Sequence, residues 1–452
     1  MNTTDTDHPG PSMKRVLTLR DLWIYGIAFM LPIAPAYIYG FASDKSGGML
    51  ASAYLLALAA MIFTAMSYGH MSSAFPSAGS TFSYAEKGIN PYAGFFAGWL
   101  MMLDYVLCPL IVFMAGATYG NALIPEIPYW AWVMVIGITV TAVNVRGVDL
   151  AAKTNLILVG FMFLVVLFFI FMCIRALLSG TGEATLWSMT PIYNPAKFEW
   201  DALVSGAAIT CLSYMGFDSI STMAEEAVNP RRDIGRATVL ACLTCGLIYF
   251  LQSYLSQLVW PDYTSFKDPD AALFEIAGAA GGAVTAALYT IAVVVASFTC
   301  GIASQSSAAR LLFSMGRDHF IPAPFFAHLH PVYDTPSFNV ILMGVIGMAG
   351  AIVLNIPLVA ELINFGGLFG FICVNAAVIR YYYVKRQEHR LFRYLLFPLT
   401  GAVVCLYLWI HLSPLCLTVG LLWTAAGLLH LVISTRGFRE KPPVLQAYHA
   451  RS

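Results

Sequence analysis

Two acidic residues of this sequence lie in apolar stretches, where a charge is hard to keep. Asp104 interrupts the apolar run from 91 to 119, and Asp218 lies in the run from 202 to 224. An ionisable group inside a membrane is costly and is rarely kept without a partner. No Lys or Arg lies at that depth, and His411 and His430 lie near the ends of their stretches. One acid is therefore protonated, or a cation from outside completes the site.

A site of this kind suits a cationic amine or a coupling proton. A substrate anion would instead need backbone N–H groups at the N-terminus of a half-helix, and a zwitterionic amino acid could use both kinds of partner. The structural alternative is that Asp104 and Asp218 only hydrogen-bond to an exposed stretch of backbone.

Two segments are predicted to break their helices. Pro32-Ile33-Ala34-Pro35 lacks two amide donors in mid-membrane, and the polar run 213–218 contains a glycine. Either segment alone could be a simple kink. They fall, however, at the same place in two consecutive blocks of five apolar stretches, which is typical of a transporter's central site. The predicted substrate site comprises Pro32, Ile33, Ala34, Pro35, Asp104, Ser213, Tyr214, Gly216 and Asp218.

The elements that carry these residues must be membrane helices. Hydrophobic residues make up 59% of the 452 residues and charged residues 11%, against about 25% charged in ordinary soluble proteins. This composition excludes soluble, disordered and coiled-coil chains, and the net charge of zero gives no sign of a nucleic-acid partner. Backbone groups in lipid need partners within their own segment, so the sequence predicts an all-α polytopic membrane protein.

Stretches of about 20 apolar residues, the length that crosses a bilayer, occur twelve times. They are predicted at 20–41, 49–69, 91–119, 129–145, 154–178, 202–224, 234–258, 283–310, 337–354, 358–381, 394–411 and 415–434. We expect two blocks of five helices at 20–178 and 202–381, two further helices at 394–434, and polar tails at 1–19 and 435–452. The first tail has no signal-peptide core, so the first helix itself is expected to direct insertion.

Positive charge predicts how the chain crosses the membrane. Twelve spans put both termini on one side, and of the 24 Lys and Arg residues only Lys45, Arg175, Lys197 and Lys267 fall on the other side. The side rich in positive charge is cytoplasmic. Both termini are therefore expected in the cytoplasm.

A charged cluster follows the sixth span. Glu225 and Glu226 lie near the inner end of this span, and Arg231 and Arg232 come shortly after them. Charges of opposite sign at a membrane surface commonly form solvated ion pairs. We expect these four residues to form a cytoplasmic gate rather than to contact the substrate.

Other classes of function find little support in the sequence. Metalloprotease, nucleophile-elbow and phosphate-binding-loop motifs are absent, so neither an intramembrane enzyme nor an ATP-driven pump is expected. The nine cysteines lie in apolar stretches without the spacing of a zinc site, so no metal and no cofactor is expected. A channel or passive facilitator stays as the alternative, although a channel usually lines its pore with several similar polar segments.

The predicted loop between the second and third spans is the most specific stretch. It reads Phe75-Pro76-Ser77-Ala78-Gly79-Ser80-Thr81-Phe82-Ser83-Tyr84-Ala85-Glu86. Together with the run from Gly216-Phe217-Asp218 to Asn229-Pro230-Arg231-Arg232, it resembles the signatures of the amino acid–polyamine–organocation (APC) permeases. The similarity covers about residues 17–435.

This resemblance implies a LeuT-like fold, in which a five-plus-five inverted repeat with discontinuous helices 1 and 6 is followed by two C-terminal helices. It implies a substrate between helices 1, 3, 6 and 8. Several runs, among them Leu103-Asp104-Tyr105, look most like the bacterial putrescine importers, which adds Tyr105 to the site. The expected function is import of an amino acid or polyamine by alternating access across the bacterial inner membrane, coupled to protons or driven by exchange.

Two positions depart from the family pattern. The polyamine importers carry an Asp in the first-helix break, where this chain has Tyr37. Cation–π stabilisation of about 0.5–2 kcal/mol by Tyr37 would replace that acid only in part, which slightly favours an amino acid or monoamine over a diamine. Some proton-coupled relatives place a Lys midway along helix 5, near Gly160 of this chain. The coupling mechanism is therefore not carried over.

Overall fold

The chain forms a bundle of membrane-spanning helices. The computed structural model describes residues 15–76, 80–146, 151–224, 226–317, 323–333 and 335–435, together with Gly437. In this part of the chain ten helices are long and apolar enough to cross a membrane, and a bent pair and one shorter apolar helix add two more. The protein is therefore a multi-pass membrane protein, as the composition predicts. Most residues of the two predicted tails lie outside the described residues.

We number the twelve spans α1–α12 in chain order. Two are discontinuous: α1 consists of Leu19–Met30, a 3-10 turn at Ala34–Tyr37 and Tyr39–Lys45, and α6 continues from Trp200–Thr210 into 3-10 turns at Cys211–Tyr214 and Phe217–Met223. The others are α2 (Leu50–Ala74), α3 (Pro91–Leu123), α4 (Tyr129–Arg146), α5 (Ala151–Leu178), α7 (Pro230–Val259), α8 (Ala272–Arg317), α9 (Ser337–Val353), α10 (Ile356–Val378), α11 (Phe397–Ile410) and α12 (Pro414–Ser434). Each coincides with a predicted span, which confirms the predicted fold class.

Local sequence sets where several of these helices begin. Thr18 and Asp21 form a reciprocal capping box at the start of α1. The Asn90 side chain accepts a hydrogen bond from the Ala93 amide at 2.8 Å at the start of α3, and Pro91 supplies a pre-set φ in the first turn. These capping contacts join residues that are close together in the chain, so the sequence alone predicts where these helices begin.

The segment before α3 differs from the predicted loop, because residues Ser80–Gly88 form a helix. Its polar side chains are paired inside the bundle: the Thr81 and Tyr68 hydroxyls lie 2.5 Å apart, and the Ser221 hydroxyl donates to the Ser80 hydroxyl at 2.9 Å. Tyr84 is fully buried beside them. The polar side chains, which predict a loop, therefore form hydrogen bonds that join this helix to α2 and to the last turns of α6.

The eighth helix is longer than the predicted span because a shorter helix precedes the predicted stretch and joins it across a kink. Non-helical backbone at Gly281 and Gly282, with a φ of +71° at Gly282, separates the first turns of α8 from the rest. Only glycine adopts this conformation without strain. The helix after this kink therefore begins at 283, where the predicted span begins.

α2 and α7 cross in direct backbone contact. A Cβ atom added to Gly69 would lie 2.7 Å from the Cα of Gly235, closer than side-chain carbons pack. Small residues at such crossings let membrane helices approach one another. This contact fixes α7 beside α2.

We predict that Gly69→Ala destabilises the protein, because overpacking against a backbone atom costs about 1–3 kcal/mol. Gly160→Ala is the matched control, since a Cβ there meets no atom within 4 Å and alanine favours a helix over glycine. Thermal unfolding in detergent measures both variants: Gly69→Ala should unfold several degrees below the wild type, and Gly160→Ala at or above it. Equal unfolding temperatures for the two variants would contradict the contact.

Candidate functional site

The break in α1 redirects the backbone hydrogen bonds of one helical turn. Leu31 has a φ of +54°, which is strained for a side-chain-bearing residue. Further along, the span bends by 67° between Leu19–Tyr37 and Tyr39–Lys45. The Ala34 amide donates to Leu31 at 2.9 Å and the Ala36 amide to Ile33 at 3.0 Å, while Pro35 has no amide hydrogen. The carbonyls of Met30 and Pro32 therefore lose their helical partners.

Side chains of other helices bind the freed carbonyls. The Tyr249 hydroxyl of α7 lies 2.5 Å from the Met30 carbonyl oxygen and 3.1 Å from that of Leu31. The Gln252 amide, also on α7, donates to the Pro32 carbonyl at 2.8 Å. These bonds leave the carbonyls of the break largely occupied.

The break in α6 centres on Gly216, which has a φ of +109°. A Cβ atom there would also lie 2.4 Å from the Phe29 ring, so both conformation and space require glycine. The Asn364 amide of α10 donates to the carbonyls of Ala208 and Ile209 at 2.9 and 3.1 Å. The second break is thus held by a neighbouring helix in the same way as the first.

The two breaks face one cavity of about 70 Å³. This volume is far below the roughly 300–1,000 Å³ of pockets for drug-sized ligands, so the space between the breaks suits a small ligand. The predicted site residues that line it are Ala34, Tyr37, Asp104, Tyr105, Ser213, Gly216 and Asp218. Four others lie behind the lining: Pro32, Ile33, Pro35 and Tyr214. Tyr214 instead donates its hydroxyl hydrogen to the Tyr54 carbonyl at 2.9 Å.

Sequence reasoning missed the rest of the lining, which is mostly apolar. It comprises Phe29, Met30, Leu31, Cys108, Ile111, Val112, Leu212, Met215, Ser219, Cys300 and Ile363. Cys108 lies one turn after Asp104, so helical periodicity could have found it. Cys300 on α8 and Ile363 on α10 carry no local signal, because only the packing of distant helices brings them here.

The polar part of the cavity is acidic. Asp218 is 5% exposed, and the backbone amides of Gly216, Asp218 and Ser219 lie close to its carboxylate. Asp104, on α3, is half-buried and lines the same cavity. Among the described residues no Lys, Arg or His lines it. The two acids are therefore brought together without a protein cation.

The predicted cytoplasmic gate is only partly visible. Glu225 lies outside the described residues, and Arg231 and Arg232 are exposed. The described side chain of Glu226 forms no ion pair with either arginine. Its main-chain carbonyl instead accepts hydrogen bonds from the amides of Val16 and Leu17, at 2.9 and 3.0 Å. The gate stays a prediction.

Comparison with known proteins agrees with this architecture. A family model described as amino acid permease matches residues 22–423. The chain is 35% identical to the low-affinity putrescine importer PlaP of Escherichia coli K12, over 95% of this chain and 96% of that protein. It is 26% identical to a methylthioribose transporter of Bacillus subtilis, over 96% of both chains, and 25% identical to the branched-chain amino acid permease BcaP of the same species, over 94% of both.

A solved structure, that of a manganese transporter from Eremococcus coleocola, superposes with a TM-score of 0.58 at 10% identity, over 95% of this chain and 98% of that one. This likeness supports the fold alone. In the described part of the chain, the bundle of apolar helices with α1 and α6 broken around one cavity defines a membrane carrier of the LeuT-like fold. The chain belongs to the amino acid permease family of the APC superfamily.

We predict that transport depends on the α1 break. Replacing both Pro32 and Pro35 with Ala restores two amide donors and favours a continuous helix. The expected result is loss of uptake, more than about tenfold, with protein still present in the membrane fraction. Uptake of radiolabelled substrate by cells, normalised to the amount of protein in the membrane, measures it. Wild-type uptake by the double variant would show that the prolines only kink the helix.

Proposed function

We propose that this permease imports a small organic amine, with the substrate bound between the breaks of α1 and α6. The observation that carries the proposal is the pair Asp104 and Asp218 in one small cavity that has no protein cation among its described lining residues. Two carboxylates in one cavity repel each other, and the burial of Asp218 makes its charge costly as well. A cationic substrate supplies the missing positive charge.

The contacts at the breaks favour an amine without a carboxylate. A substrate carboxylate needs free backbone N–H groups, but those of Leu31, Ala34 and Ala36 donate within the chain. Pro32 and Pro35 have none. At the second break the amides of residues 216, 218 and 219 lie close to the Asp218 carboxylate itself. The amides engaged in this way are not free to bind an anion.

A diamine is the substrate that this site supports best. The sequence argument against a diamine is that Tyr37 stands in the α1 break where the polyamine importers carry an acid. In the structure, however, α3 and α6 each bring one acid to the cavity. Each ammonium group can then find its own carboxylate. Ile111, Val112 and Met215 form an apolar wall that suits an alkyl chain between the two charges. The similarity to a putrescine importer supports the same proposal.

The energy source is proposed from the same residues. Gly160 borders an apolar groove beside Trp23 and Ile27 of α1, so this part of α5 offers no coupling charge. Asp104 and Asp218 are the carboxyl groups of the cavity, and a carboxyl group can take up and release a proton near neutral pH more readily than a tyrosine hydroxyl. We therefore propose coupling to protons or exchange through the substrate site, with both termini in the cytoplasm as the distribution of positive charge indicates.

The proposal is tested by uptake into proteoliposomes. Putrescine should be taken up saturably, faster when unlabelled putrescine is inside, and 4-aminobutyrate, which exchanges one ammonium for a carboxylate, should compete at least about tenfold more weakly. Linear flux without acceleration from the inside would indicate the channel alternative. Equal competition by putrescine and 4-aminobutyrate would contradict the diamine and would favour an amino acid as the substrate.

We predict that the two acids matter differently. Asp104→Asn removes a charge that pairs with the amine, so it should raise KM by about 10- to 100-fold, as expected for a hydrogen bond to a charged group. Asp218→Asn weakens the contacts with the amides of the α6 break and should mainly lower the maximal rate. Both are measured by uptake kinetics with putrescine.

Glu361→Gln is the matched control for these two variants. Glu361 is an acid within α10 that is only 7% exposed, but it does not line the cavity, and its carboxylate accepts from the Ser413 hydroxyl. Its variant should keep the wild-type KM. Unchanged kinetics in both Asp104→Asn and Asp218→Asn would leave the acids with a structural role and remove the proposed cation site.

A further inference from the structure

Gln252 is a polar side chain of α7 that is fully buried beside the broken helix. A buried amide is costly unless its donors and its acceptor are hydrogen-bonded. Gln252 does not line the cavity, so it is not itself a substrate ligand. Its hydrogen bonds must therefore explain why it lies there.

The Gln252 amide joins three helices. Its nitrogen donates to the Pro32 carbonyl of α1 at 2.8 Å, and its oxygen accepts from the Tyr289 hydroxyl of α8 at 3.3 Å. Because a carbonyl can only accept, the amide nitrogen must face Pro32, and the Tyr289 hydroxyl then satisfies the amide oxygen. The amide is thus held from both ends.

Its target is a carbonyl without a helical partner. In a continuous helix the Ala36 amide would donate to Pro32, but it donates to Ile33 at 3.0 Å. An unwound carbonyl next to a transport site can coordinate a cation. Pro32 does not line the cavity, although Leu31 and Ala34 do. The bond to Gln252 holds this carbonyl on the side away from the substrate.

We propose that Gln252 is a positioning residue of transport, which ties the Pro32 carbonyl to α7 so that the substrate ammonium meets Asp104 and Asp218 rather than the main chain. Tyr289 supports it from α8. This inference rests on the proposed function, because it takes Asp104 as a partner of the amine. Gln252 and Tyr289 act on KM through the shape of the break and without touching the substrate.

The first test is uptake kinetics of Gln252→Leu with putrescine. This change removes the amide and keeps a side chain of similar size, and loss of one hydrogen bond should raise KM roughly three- to tenfold. Tyr289→Phe should cause a smaller rise, and adding it to Gln252→Leu should cause no further rise. Wild-type KM for Gln252→Leu would overturn the proposal.

Gln257→Leu is the matched control. Gln257 lies on the same helix, is 3% exposed and also donates to a proline carbonyl, that of Pro261, at 3.0 Å, but at the far end of α7. Its variant should keep the wild-type KM. An equal rise in KM for both glutamine variants would indicate a general loss of helix packing and would overturn the assignment.

The second test separates positioning from a merely structural role. In Gln252→Leu the Pro32 carbonyl is free to turn toward the cavity and accept from the ammonium, so Asp104→Asn should raise KM less in this background than in the wild type. If the two changes acted independently, Asp104→Asn would raise KM by the same factor in the Gln252→Leu background as in the wild type. That result would overturn the inference.

The outcomes also separate this inference from the proposed function. If Asp104→Asn raises KM in the wild type while Gln252→Leu behaves as wild type, only the further inference fails. If neither Asp104→Asn nor Asp218→Asn changes the wild-type kinetics, the proposed function fails. If Gln252→Leu does not reach the membrane, Tyr289→Phe takes its place in the comparison with Asp104→Asn. The inference is then overturned if Asp104→Asn raises KM by the same factor with and without Tyr289→Phe.

Discussion

The structure depends on one constraint: a carbonyl or amide released from a helix inside a membrane must find another partner. The breaks in α1 and α6 release such groups at the depth where the cavity lies. Tyr249 and Gln252 bind the carbonyls of the first break, and Asn364 binds those of the second. The discontinuous helices are therefore held in defined conformations by the helices around them, and the cavity between them keeps its shape.

The same constraint shapes the chemistry of the site. Because side chains and turns occupy most of the backbone groups, the charged atoms left to face a substrate are the carboxylates of Asp104 and Asp218. Under the proposed function, a cation that enters this cavity of about 70 Å³ offsets the repulsion between the two carboxylates. A carrier that binds such a cation better in one conformation than in another shifts toward that conformation when the cation binds.

Some parts of the site follow from the sequence and others do not. The prolines of α1 and the glycine of α6 mark the breaks, and Asp104 and Asp218 are conspicuous in apolar stretches. The sequence cannot tell which atoms of a break face the cavity: it predicts Pro32 and Tyr214 in the site, but neither is among the residues that line the cavity. Likewise the polar run 80–88 predicts a loop, yet its side chains find partners at Tyr68 and Ser221 and it folds as a helix.

The sequence by itself determined the twelve spans, the places where two of them break, and the acids that lie at mid-depth. Each is a local property, set by the length of an apolar stretch, by a missing amide hydrogen or by one residue type. Only the tertiary structure decided which carbonyls are bound and which side chains line the cavity. Gln252 and Pro32 are 220 residues apart in the chain, and a contact of that kind exists only after helices have packed, because the rotation of each helix about its own axis decides which of its faces meet.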